Sequence, residues 1–313
     1  MSNKTFISAM VLLIAVAYGV AAAEEAFPPP DSIGRIVDSL FIRASSGEIR
    51  FQAEVEPSRK ALIALGIKAV PRLLSKLDTR DAREMLEITE IFKGIGESAV
   101  ESLISVLRSD DGFARRLAIR CLGEIKSDKA VWSLQAMAQH RDFRTRVETM
   151  TALGNIGSPA ASAAVQTGLN DSIELVATAA AAACGKIKKD IDPNALLAVL
   201  THRYYGVRYA AARSLALIGE SVIAPVSAYL DSSDDINAKC FAILSLAVKG
   251  SEKSVRTLSR FAESESWQVR TAVADALGMT KVRKAEPILK KMIAKENHPL
   301  AAAKAKAALA LLD

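Results

Sequence analysis

From Ala61 to Leu309, apolar residues recur at the spacing of one helix face, in runs broken by short polar stretches. Six of these runs carry the same mark. Leu122-Gly123-Glu124-Ile125, Leu153-Gly154-Asn155-Ile156-Gly157, Cys184-Gly185-Lys186-Ile187, Leu215-Ala216-Leu217-Ile218-Gly219, Leu246-Ala247-Val248-Lys249-Gly250 and Leu277-Gly278-Met279 place a small residue at 123, 154, 185, 216, 247 and 278, and every step is 31 residues. Gly94 and Gly66 extend the series upstream with steps of 29 and 28. Each unit reads as two helices. The first runs like Thr145 to Leu153, and the small residue is expected to mark a tight turn, because a helix C-cap favours positive φ. The second opens like Ala99-Val100-Glu101 or Ala285-Glu286-Pro287. Pro71, Pro159, Pro193, Pro225 and Pro287 fall in or near its first turn, where a missing N–H costs little. An Asp-bearing loop closes the unit, as at Asp110-Asp111, Asp142, Asp171 and Asp234-Asp235.

One pair of helices about 12 residues long cannot bury its apolar face alone, whereas stacked neighbours can. The expected fold is therefore all-α: one α-solenoid of antiparallel helix pairs over residues 58–313. About eight pairs are followed by a capping helix from Leu300 to Leu312. Residues 24–57 fall outside the period. They read as a Pro28-Pro29-Pro30 linker and an amphipathic N-terminal cap over Ile33 to Phe41. Residues 1–23 read as an export signal. Lys4 supplies the positive start, Phe6 to Val20 the apolar run, and Ala21 and Ala23 the small residues before a cut after Ala23. That places the mature chain in the periplasm or outside the cell. Retention of the segment as an N-terminal membrane anchor is the alternative, and no later stretch resembles a transmembrane segment.

Composition narrows the chemistry. Of 313 residues, 50% are apolar and 24% charged, which excludes a disordered chain. Three Cys exclude a disulfide scaffold, and three His with three Cys leave few zinc ligands. Sixteen aromatic residues are too few for a stacking platform along a nucleic acid. The formal charge of +6 is unevenly spread. Lys281 to Lys306 hold eight cations against Glu286 and Glu296, and the chain ends on Asp313. The body between signal and cap is near neutral.

The units resemble short HEAT repeats, also called HEAT-like or phycobilisome-lyase-type repeats. Val207-Arg208, Val269-Arg270, the Ala-x-Ala-x-Ala-Leu-Gly run from Ala272 to Gly278 and the Ala-led second helices carry the resemblance. Tetratricopeptide and ankyrin signatures are absent. The resemblance implies a binding scaffold whose second helices line a concave face. It also brings in two other readings, a lyase-like or chromophore-handling protein and a nucleic-acid-binding HEAT-like protein. The paired His-Glu motifs of the HEAT-fold di-iron hydroxylases are missing.

Candidate residues follow from the register. Arg115, Arg146, Arg208, Lys239 and Arg270 form a column that suits either a polyanion or, as the plainer expectation, pairing with Asp111, Asp142 and Asp235 four residues earlier. Phe143, Tyr205 and Trp267, 62 apart, read as packing at helix entries. Trp132 breaks the pattern of a second-helix position that elsewhere holds Ala163, Asn194, Pro225 and Arg256. It is a candidate partner contact, against local packing. Lys290 and Lys291 in the basic end are candidates for an acidic partner or an anionic surface. His140 and His202, two units apart, are too distant to share a metal, and His298 is remote from both. Cys121, Cys184 and Cys240 are expected to be buried free thiols. No convergent catalytic set, metal site or cofactor motif is present in the sequence. The chain reads as an exported, non-enzymatic protein-interaction scaffold that takes its partner on the concave face.

Overall fold

The computed structural model describes residues 32–312; the expected signal segment with its cut after Ala23 and the expected proline linker lie outside them. The described residues contain helices and no strand. They divide into two compact units, one ending at Ile125 and the other beginning at Lys126.

The first unit opens with α1 (Ser32–Ala44), which buries Val37, Leu40 and Phe41. It packs on α2 (Gln52–Leu65) and α3 (Val70–Leu74). Asp38 ties α1 to α3 through two bonds from Arg72, at 2.7 and 2.9 Å, with Lys76 at 2.7 Å. The helix α2 begins six residues before Ser58 and carries Pro57 inside it. Then come α4 (Ala82–Ile95), α5 (Val100–Val106) and α6 (Gly112–Ile125). The longer helices α2, α4 and α6 form one layer, and α3 and α5 the other.

The second unit repeats this plan. Its short or second helices are α7 (Val131–Met137), α9 (Ser162–Gly168), α11 (Pro193–Ala198), α13 (Ile223–Ser232), α15 (Glu252–Ser259) and α17 (Glu286–Lys295). Its first helices are α8 (Phe143–Ile156), α10 (Glu174–Ile187), α12 (Tyr205–Ile218), α14 (Ile236–Ser245) and α16 (Trp267–Thr280). The last helix, α18 (Pro299–Ala310), stacks on α16. Each first helix packs on the next, and the core between the layers is Leu, Val, Ile and Ala.

At five of its six positions the 31-residue small-residue column lies inside a first helix and not at a turn; Ala247, two residues past the end of α14, is the exception. Gly123, Gly154, Gly185 and Gly278 lie inside first helices and are buried. Gly154, Gly185 and Gly278 lie where the next helix passes closest. A Cβ on Gly154 would stand 2.8 Å from the Ala183 Cα, one on Gly185 2.8 Å from the Ser214 Cα, and one on Gly278 2.9 Å from the Ala308 Cα. Those distances are too short for any side chain, so the missing Cβ sets the helix–helix spacing. The turn lies three residues further on. Lys126, Gly157, Lys188, Gly219, Gly250 and Lys281, again 31 apart, all have positive φ. Upstream, Gly94 belongs to the helix-interior class, against Ile63, while Gly66 and Gly96 belong to the turn class. Three lysines thus hold a conformation that favours glycine.

Two outcomes follow from this division. Gly185→Ala should destabilise the second unit by about 1–3 kcal/mol despite its better helix propensity, because the clash is with backbone. Lys188→Gly should stabilise it by about 0.5–1 kcal/mol by relieving a left-handed lysine. Urea unfolding of the two variants beside the wild type reads both signs. A stable Gly185→Ala chain would contradict the close-approach account.

Candidate partner-binding face

The second helices of the second unit present two rows to solvent in the 31-residue register. The first is Trp132, Ala163, Asn194, Pro225, Arg256 and Pro287. The second, one turn on, is Ala136, Thr167, Ala198, Tyr229, Arg260 and Lys291. Inward positions such as Val131, Leu134, Val165, Leu196, Val226, Val255 and Leu289 are buried, which fixes the outward rows by helical period. Trp132 is 83% exposed, so it does not pack locally. A bare indole is an unusual solvent neighbour for a residue that normally buries most of its area.

The helices α7, α9, α11 and α13 carry a single charged residue between them, Asp231 in the last turn of α13, where Arg260 holds it at 2.7 Å. In a chain of 24% charged residues, four consecutive helices nearly without charge stand out. A shallow groove of about 390 Å³ lies between α11 and α13, lined by Asn194, Leu197, Ala198, Pro225, Ala228 and Tyr229. The two remaining second helices differ. Along α15 and α17 and just past α15, Lys253, Arg256, Arg260, Lys290, Lys291 and Lys295 stand beside Glu252, Glu263 and Glu286, with Lys253 also meeting Glu220 and Arg260 meeting Asp231. Here a groove of about 800 Å³ has Ile288 and Met292 among its lining, with Arg260, Glu263, Lys291 and Lys295. Lys291 and Lys295 share Glu263, at 2.7 and 3.2 Å, and Lys290 meets Glu286 at 2.6 Å. These are exposed pairs, weak enough for a partner's carboxylates to replace.

The basic column at the first-helix entries is built differently from the expectation. Asp111, Asp142 and Asp235 do not pair with the cations four residues on; they cap their helices. Asp111 accepts from the Phe113 and Ala114 amides, Asp142 from Arg144 and Thr145, and Asp235 from Ala238. Each arginine reaches back six residues instead. Nη1 donates to the Ser109 carbonyl from Arg115, to that of His140 from Arg146, to that of His202 from Arg208 and to that of Ser264 from Arg270. Two of them grip a carboxylate of the following loop with Nε and Nη2: Arg146 takes Asp171 at 2.7 and 2.9 Å, and Arg270 takes Glu296 at 2.7 Å on both. The guanidinium of Arg270 holds the Glu296 carboxyl down at about 2. Arg208 lacks this partner. Its Nε is buried and unbonded. Asp234, in the register of Glu296, is a methylene shorter and stays exposed. Rings of Phe241 and Tyr205 lie 5.4 and 6.0 Å from the Arg208 guanidinium carbon. The four arginines of the column therefore fasten loops within the fold and do not form an open ladder of cations.

Trp267, Tyr205, His140 and His202 have partners within the fold, although Tyr205 stays exposed. Trp267 stacks face to face on His298 at 4.0 Å, and Tyr205 meets Phe241 edge-on at 5.5 Å. The Nδ1 atoms of His140 and His202 accept from amides two residues on, at 3.0 and 3.2 Å, which closes their turns. Cys121, Cys184 and Cys240 are free thiols. Burial pushes Cys121 and Cys184 up to about 12 and Cys240 to about 11, so none is a ready nucleophile. Among the described residues, no cluster of three His, Cys, Asp or Glu side chains could hold a metal, and no single helix is long and apolar enough to cross a membrane.

The family model for HEAT repeats matches residues 100–185, 132–216 and 223–310. This chain is a HEAT-repeat protein. HEAT solenoids serve in general as protein-interaction scaffolds. Among solved structures, Kap95p in its complex with RanGDP is similar over 100% of this chain and 48% of its own, with a TM-score of 0.57 at 12% identity. Human deoxyhypusine hydroxylase aligns over 80% of this chain and 97% of its own, at 18% identity and a TM-score of 0.36. Escherichia coli YibA aligns over 93% and 99%, at 16% identity and a TM-score of 0.48. At these identities the likeness is one of fold. No curated protein sequence matches the chain.

Sequence reasoning singled out Trp132 and the lysines of α17 but missed the uncharged stretch beside them, with Ala163, Asn194, Ala198, Pro225 and Tyr229. The signal was present as runs without Asp, Glu, Lys or Arg at 131–138, 159–170, 193–201 and 221–230.

The ion-pair geometry gives two expectations. Because the folded Glu296 titrates near 2, below its ordinary 4.5, the pair's contribution is fully present above pH 4.5 and is lost as pH falls toward 2. Glu296→Gln should therefore cost about 1–3 kcal/mol at neutral pH, and the gap to wild type should close near pH 2. Asp234→Glu should reach the Arg208 fork and stabilise by about 0.5–1 kcal/mol. Denaturant titrations at several pH values read both.

Proposed function

We propose that this HEAT-repeat chain is an exported scaffold that binds another protein through the face of its second helices. The observation that supports this most is Trp132, 83% exposed at one end of a face that α7, α9, α11 and α13 leave almost without charge. Solvated helix faces are normally rich in Lys, Glu and Arg, which are costly to desolvate. Interface cores are depleted of charged side chains and enriched in Trp and Tyr. The same face carries both shallow grooves, as an extended or helical partner segment requires. Among the described residues the thiols are held protonated, His140 and His202 close turns, and His298 stacks on Trp267.

Export rests on the leader pattern ending at Ala23. Cys121 and Cys184 are buried while Cys240, expected to be buried, is half-buried; thiols held protonated suit an oxidising compartment, since the thiolate is the reactive species.

Two measurements test these halves separately. N-terminal sequencing of the protein recovered from cells should begin at Glu24; a chain that retains Met1 in the membrane fraction would support an anchor instead. Affinity capture with the mature chain should yield a partner whose recovery falls at least tenfold with Trp132→Ala, while thermal stability stays unchanged. Equal recovery by both chains would remove Trp132 from the binding face.

A further inference from the structure

The two outward rows change character once along the second unit. Over four repeats they read Trp132, Ala136, Ala163, Thr167, Asn194, Ala198, Pro225 and Tyr229, all without charge. Over the last two they read Arg256, Arg260, Pro287 and Lys291. The change is abrupt and falls between α13 and α15. From this step we infer that the partner segment is itself two-part, uncharged and apolar where it lies on α7 to α13 and acidic where it lies on α15 and α17. This inference rests on the proposed binding face and names the chemistry of its occupant.

Three observations carry it. First, the cations of the last two repeats stand in the same register as the uncharged residues, so they belong to one continuous face. Second, the carboxylates that meet them are exposed. Arg260 meets Asp231 at 2.7 Å, Glu263 is shared by Lys291 and Lys295, and the Arg256 guanidinium, which joins Ser251 and Lys253 in lowering the pKa of Glu220, forms no hydrogen bond or ion pair among the described residues. Third, the groove there combines apolar Ile288 and Met292 with a charged rim, which suits a carboxylate set beside an apolar side chain. A nucleic acid fits this face poorly. Its phosphates would have to cross four helices that offer no cation.

The length of the occupant follows from the repeats. Five stacking steps separate Trp132 from Pro287, each about 8–10 Å, so an extended segment of about 14 residues spans the face at about 3.4 Å per residue. Burial of the uncharged part supplies affinity, and the acidic part sets direction and on-rate.

The test uses the full chain and a random displayed library of 16-residue peptides. Selected peptides should cluster Asp and Glu in one half, carry few or no Lys or Arg, and place an aromatic or aliphatic residue in the other half. Synthetic copies should lose at least tenfold in affinity on Arg260→Glu with Lys291→Glu, and again between 50 and 500 mM salt. Their Asp- and Glu-to-amide twins should lose as much on the wild type. Trp132→Ala should weaken the same peptides independently. Peptides that depend on Trp132 but show no acidic bias and ignore the charge reversals would overturn this inference and leave the proposed binding face standing. A library that yields no peptide sensitive to Trp132→Ala or to the charge reversals would count against both. Binding of a single-stranded 20-mer oligonucleotide that the same reversals abolish, with no acidic peptide selected, would assign the basic end to nucleic acid and also overturn it.

Discussion

The second unit depends on how closely its first helices approach one another. At Gly154, Gly185 and Gly278 the neighbouring backbone occupies the space a Cβ would need. Contacts that tight set the helix spacing in three of the repeat steps. The Ala-rich helices around them, such as α10 with Ala177, Ala180, Ala181 and Ala183 buried, keep the layer thin. A thin layer buries little apolar area per repeat, so each pair relies on its neighbours, as a repeat architecture requires.

That constraint divides the work between the two helix layers. The first helices carry the packing column, the capping aspartates and the arginine staples. Each arginine fastens its own helix entry by a carbonyl six residues back, and Arg146 and Arg270 also fasten the following loop. With the entries pinned this way, the second helices need only their inward Val and Leu positions. Their outward rows carry little structural duty beyond the exposed pairs of Arg260 and Lys291, and there the chain places an exposed Trp, a run of uncharged side chains and then a basic end. Under the proposed function, a face so far from an ordinary solvated composition is the one that meets the partner.

Much of this was legible in the sequence. The period of 31, the all-α pairing and the break that Trp132 makes in its column could be read from spacing. The conformation at the small residue could not. Leu153-Gly154-Asn155-Ile156-Gly157 contains both a contact glycine and a turn glycine, and only the φ angles separate their roles. The lysines at 126, 188 and 281 hide the turn column from any search for glycine. The arginine partners were missed for a similar reason. Asp142 lies four residues from Arg146 in sequence, but it is spent on capping its own helix, and the carboxylate that meets the guanidinium comes 25 residues later. The uncharged face was visible as four gaps in the charge pattern, yet it became a surface only once the stacking placed those gaps side by side.

The claim that this face is where the partner sits is tested most directly by site-specific photocrosslinking in living cells. A benzophenone side chain at Ala163 or Ala198 lies on the outward rows of the second helices, and one at Ala182 or Arg213 lies on exposed positions of the first helices. The account predicts that the same partner is captured from Ala163 and Ala198 and not from Ala182 or Arg213. Capture from the first-helix positions, with none from the second-helix rows, would contradict it.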